Sequence, residues 1–167
     1  MRDSRVLADG LRPELRLALA YAPARFRHLT LGLLALDQRL GESIRAAREP
    51  VFAQLRLAWW RERLQTRQES EPEPLLAALQ PWGDHRAELA VLADGWEEMI
   101  GEAPLGAESL AACARARGQG WGVLAGMLGH DPAEAHRAGE GWAAVDLAAR
   151  LSHPQERAAA QALVAAQ

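Results

Sequence analysis

Carboxylates, guanidiniums and a tryptophan pair are the side chains in this chain whose types and spacing could do chemistry. Asp37 interrupts the apolar run Leu33-Leu34-Ala35-Leu36, and Asp146 stands on the apolar segment Trp142–Leu147. A carboxylate in such a setting needs a partner, because unpaired charge is expensive to bury. An interhelical ion pair with an arginine and a polar lining for a binding cavity both meet that need. Arg56, Arg61 and Arg63 offer planar forks that suit phosphates, although such arginines also serve a solvated helix face beside acids such as Glu62. Trp59-Trp60 supplies either the floor of an apolar cavity or a core anchor with a groove-filling neighbour.

Other chemistries find less support. His28, His85, His130, His136 and His153 show no metal-ligand spacing, and a lone His85-x-x-Glu88 is too common to count. Ser43 and Ser109 sit in no nucleophile elbow. Cys113 is the only cysteine, which excludes an intrachain disulfide and a thiolate cage; among Ala111, Ala112 and Ala114 it reads as a small buried filler. No D-x-x-x-D or D-D-x-x-D occurs anywhere, so no helix turn carries the paired carboxylates that suit Mg²⁺.

The elements that must position these groups are helices. The 167 residues are 49% apolar, rich in Ala, Leu and Arg and poor in β-branched types, and no segment alternates with period two. Pro and Gly punctuate helices at Pro13–Tyr21, about Ala24–Ala47, Pro50 to about Gln68, from Leu75, Asp84–Ile100, Ala107–Leu128, Pro132–Leu151 and Pro154 to the end. Phe26, Leu29, Leu33, Leu36 and Leu40 give the second helix one buried face, and Val51, Leu55, Ala58 and Trp59 form a stripe on the third. The Leu29–Leu36 and Val51–Leu64 helices are expected to pack together at the centre. Gln68-Glu69-Ser70-Glu71-Pro72-Glu73-Pro74 is a polar connector within one domain. The expectation is a single all-α domain, residues 1–167, of seven or eight helices. A net charge of −3 without a basic block argues against nucleic acid. No stretch is long enough to span a bilayer, so a cytoplasmic protein is expected, with peripheral membrane association left open.

The segment Glu49-Pro50-Val51-Phe52-Ala53-Gln54-Leu55-Arg56-Leu57-Ala58-Trp59-Trp60-Arg61-Glu62-Arg63-Leu64 resembles the "EP-x-x-x-x-x-R-x-x-W-W-R-x-x-L" run of bacterial squalene/phytoene synthase-like proteins. Pro23, Arg27 and Leu33-Leu34-Ala35-Leu36 match that family's "LP-x-x-x-R…LYAF" run. Gly139–Leu147 is a weaker echo of the helix bearing its second aspartate-rich motif. The resemblance implies an isoprenoid-synthase-like bundle, shortened on the C-terminal side. In active members, two carboxylate clusters on facing helices hold Mg²⁺ against a prenyl diphosphate. The first cluster registers here on Gly41-Glu42-Ser43-Ile44-Arg45, where Gly41 and Arg45 replace aspartates and Glu42 alone could ligate a cation. In the second, the aspartate pair falls on Arg150 and Pro154, with Asp146 kept at a neighbouring position. The resemblance therefore implies a non-catalytic member without cofactor, like the branch containing a mitochondrial assembly factor for respiratory complex I. It would bind a prenyl lipid or a protein partner through the old cavity or the Trp-Trp helix. The binding candidates are Arg27, Asp37, Glu42, Arg56, Trp59, Trp60, Arg61 and Asp146. The alternative is a divergent Mg²⁺-dependent prenyltransferase condensing prenyl diphosphates.

Overall fold

The computed structural model describes residues 2–66 and 73–166. Nine α-helices occur among them: α1 (Arg2–Gly10), α2 (Pro13–Tyr21), α3 (Arg27–Arg45), α4 (Pro50–Gln65), α5 (Pro74–Ala78), α6 (Ala90–Glu97), α7 (Ala107–Met127), α8 (Pro132–Arg150) and α9 (Pro154–Ala165). A 3-10 segment, Gln80–Leu89, leads into α6. The described residues contain no strand, and the all-α expectation holds. No described helix is long and apolar enough to cross a membrane. Residues 68–72 of the expected connector lie outside the described residues, whereas Glu73 and Pro74 open α5.

Five helices begin on proline: Pro13, Pro50, Pro74, Pro132 and Pro154. The first helical position needs no N–H donor, so a ring that lacks one is accepted there and presets φ. Asp131 strengthens one such start by accepting from the Ala133 N–H at 2.9 Å. Two expectations differ. α1 was not foreseen, because its polar sequence carries few apolar residues to pattern. The expected Asp84–Ile100 helix is 3-10 as far as Leu89 and α-helical only over Ala90–Glu97, and Gly83, with φ 58°, kinks the chain just before it.

α3 is the central element: twelve of its residues are buried, and α1, α2, α4, α5, α6 and α7 surround it. α7 and α8 meet backbone to backbone. A Cβ on Gly118 would come within 2.6 Å of the His136 carbonyl oxygen, and one on Gly139 within 2.5 Å of the Trp121 ring. Glycine is what this approach requires.

α4 departs most from expectation. Its buried face is Ala53, Leu57, Trp60 and Leu64, which packs toward α6, α3 and the 3-10 segment. The stripe read from the sequence, Val51, Leu55, Ala58 and Trp59, faces solvent instead. α4 therefore packs against α3 as expected, but through the Ala53, Leu57, Trp60 and Leu64 face, and it is an outer helix with apolar side chains on both sides. Periodicity alone could not choose between two apolar faces on one helix.

Candidate functional site

Asp37 on α3 and Asp146 on α8 are buried and face each other across an arginine that the sequence reading did not single out. Arg117, on α7, is 1% exposed at its side chain. Its Nε donates to Asp37 Oδ1 at 3.0 Å, and its Nη2 donates to Asp37 Oδ2 and to Asp146 Oδ2, both at 2.8 Å. The Trp96 N–H donates to Asp37 Oδ1 at 2.9 Å. The guanidinium carbon lies 5.0 Å from the ring centres of both Trp96 and Trp142, so the cation is held between two indoles.

Asp146 has two further cations. Arg150, one turn on, donates to its Oδ1 at 2.7 Å, and Arg12 approaches the same oxygen at 3.2 Å. Arg150 also pairs with Glu14 of α2. Three guanidiniums therefore meet three carboxylates in a neutral cluster, buried at Arg117, Asp37 and Asp146 and reaching the surface at Arg150 and Glu14. Burial alone would lower the Arg117 pKa, but the charge of Asp37 foremost, with Asp146, holds it above its ordinary value. Asp37 and Asp146 both form the interhelical ion pair, and Asp146 also lines the neighbouring cavity.

Beside this cluster opens a cavity of about 360 Å³, within the size range of small-molecule sites. Its walls bring together the two stretches that the family register had paired: Gly41, Ile44 and Arg45 from α3, and Arg150, Leu151 and Ser152 from the end of α8. Trp96, Met99, Leu105 and Leu147 make the wall mostly apolar. Arg45 has no ion-pair partner among the described residues, whereas Arg150 is already committed to Asp146 and Glu14. Position 41 has a steric reason to be glycine. A Cβ there would lie 2.9 Å from the Trp96 ring, so an aspartate would displace the indole that holds Asp37.

Of the eight binding candidates, only Asp37 and Asp146 come together. Glu42 is exposed, accepts from Gln38 Nε2 at 2.8 Å, and lines a different recess with Arg39 and Leu75. Arg27 caps the end of α2 through the Ala20 and Ala22 carbonyls. Arg56 reaches the Ser43 carbonyl at 3.4 Å. Arg61 binds Asp94 at 2.6 Å and Glu97 at 2.5 Å on α6; the Glu97 hydrogen bond foremost raises its pKa, against some burial. Trp60 is buried and Trp59 is not, their rings edge to face at 5.0 Å. None of these six lines the cavity.

A Mg²⁺ pair does not fit this donor set. Both facing carboxylates are saturated by arginine, and no group of three His, Cys, Asp or Glu among the described residues is placed to hold a metal. Cys113, buried one turn before Arg117, has its thiol pKa pushed up to about 12 by burial. Burial thus disfavours the thiolate, which is the reactive form. Native protein should therefore resist a disulfide reagent at pH 8, with release of colour appearing only on denaturation. Labelling of native protein at the speed of a free thiol would show the α7 core to be open.

No protein-family model, curated protein or solved structure matches this chain.

Proposed function

We propose that this protein is a non-catalytic, squalene/phytoene synthase-like helical domain that acts by binding a ligand in the cavity between α3, α6 and α8. One observation carries the reading. The segments matched to the family's two metal motifs line one cavity with Gly41, Arg45 and Arg150, and its two carboxylates are already engaged, Asp146 by arginines and Glu156 by the Leu105 N–H. Arg45 supplies a cation not neutralised by an ion pair, and Ile44, Met99, Leu105, Leu147 and Leu151 supply an apolar wall. That combination suits an amphiphile with an anionic head, such as a prenyl phosphate, held by charge-assisted hydrogen bonds without a metal. Binding of that kind does not accelerate ionisation, because it favours the ground state as much as the transition state.

The test is thermal denaturation with farnesyl diphosphate, with and without Mg²⁺, beside an assay for hydrocarbon products. Ligand at a hundredfold excess over Kd should stabilise the fold by about 2.7 kcal/mol, roughly 5–10 °C for a domain of this size. The shift should not depend on Mg²⁺ and should fall sharply in Arg45→Gln. A C30 hydrocarbon product, lost in Asp146→Ala or Glu42→Ala, would overturn the reading in favour of a prenyltransferase.

A further inference from the structure

The outward face of α4 is the largest run of exposed apolar residues on one element. Nine large apolar side chains are exposed among the described residues, and four of them are Val51, Phe52, Leu55 and Trp59. Their exposure runs from 43% for Trp59 to 61% for Leu55. With the exposed Ala58 they occupy positions 51, 52, 55, 58 and 59, the spacing of one continuous helical stripe. A stripe of this kind on a helix whose other face is already buried marks an interaction surface, unlike singly scattered apolar residues.

The stripe is also symmetric about Leu55. Val51 and Trp59 lie four residues to either side and Phe52 and Ala58 lie three, while Arg48, in the bend just before α4, and Glu62 within it lie seven residues away in sequence. Laid antiparallel against a copy of itself, α4 would set Leu55 against Leu55 on the two-fold axis. Large would then meet small, with Trp59 over Val51 and Phe52 over Ala58, as interlocking helix faces require. At both ends Arg48 of one copy would meet Glu62 of the other. Both side chains are exposed, and neither has an ion-pair partner among the described residues. An isologous interface demands this relation, in which residue i contacts j and j contacts i. Trp59 is already braced edge-on by Trp60, so docking would freeze little new side-chain motion.

We infer that this protein forms a two-fold dimer through α4, with the outward stripe of one copy seated antiparallel on that of a second copy. Half-exposed, the four large side chains offer roughly 400 Å² of apolar surface per copy. A pair would bury about 800 Å² before the flanking charges are counted, which puts the contact at the small, reversible end of specific interfaces. The dimer should accordingly dissociate on dilution.

Sedimentation velocity on the full chain, across roughly a hundredfold range of concentration, should show a monomer–dimer equilibrium. Leu55→Glu, at the most exposed position of the stripe, should raise the dissociation constant by at least about a hundredfold by placing two carboxylates on the axis, with the helical circular dichroism unchanged. Arg48→Glu and Glu62→Arg should each weaken the dimer, and R48E/E62R together should restore it. Three results would overturn the inference: a monomer at every concentration, a dimer indifferent to Leu55→Glu, or a double variant no better than either single one. Partition of the wild-type chain into anionic phosphatidylserine vesicles, lost in Leu55→Glu while the protein stays monomeric, would assign the stripe to a lipid surface instead.

Discussion

Arg117→Met should destabilise the fold by about 3–5 kcal/mol, the usual loss when one partner of a buried ion pair is removed. The losses are unequal around the cluster. Asp146 keeps Arg12 and Arg150, but Asp37 is left with a single Trp96 N–H and no cation. Most of the effect is thus the burial of one uncompensated carboxylate. The double variant D37L/R117M removes that charge together with its partner, and should recover much of the loss, since well-packed apolar replacements of buried pairs are often neutral. Urea midpoints of the two variants decide the matter. A single variant within about 1 kcal/mol of the parent would mean that water reaches Asp37, and the cluster would then be no part of the closed core.

Trp60→Ala should cost about 3–5 kcal/mol and Trp59→Ala roughly half as much, although the two residues are adjacent and identical. Trp60 is 4% exposed on the inward face with Leu57 and Leu64, so its removal leaves a cavity that the helix cannot close. Trp59 loses only an edge-to-face contact and half its surface. Both differences are read from denaturation midpoints at low protein concentration, where self-association does not contribute. Equal losses would place Trp59 in the core and remove the exposed stripe on α4.

Helix class and most helix starts were legible because proline and glycine act locally. Pro13, Pro50, Pro132 and Pro154 each mark a helix start without reference to anything distant in the chain. The facing of α4 was not legible. Val51, Leu55 and Trp59 form as good a stripe as Ala53, Leu57 and Trp60, and only the neighbours α3 and α6 decide which is buried. In the site, the need of Asp37 and Asp146 for cations could be read, but their shared partner was missed. Its signal was present: Leu110, Cys113, Arg117, Gly120 and Leu124 follow core spacing along α7, and an arginine in that series must find carboxylates. Arg12 gave no such sign, since it lies between helices and acts through a contact 134 residues away in sequence, from 12 to 146.

The backbone contact between α7 and α8 has one further consequence. Gly118 and Gly122 bring the two helices close, and the Trp121 ring of α7 is seated on Gly139 of α8, where any side chain would collide with it. Displacement by one turn, about 5.4 Å, would drive a residue bearing a Cβ, such as Ala135 or Ala143, against that indole. The same displacement would carry Arg117 out of reach of Asp146 and tear Asp37 from its fork. The buried arginine acts as a locating pin. Together with the seat of Trp121 on Gly139, it fixes the axial alignment of α3, α7 and α8. The walls of the neighbouring cavity, borne on α3 and α8, inherit their spacing from that alignment.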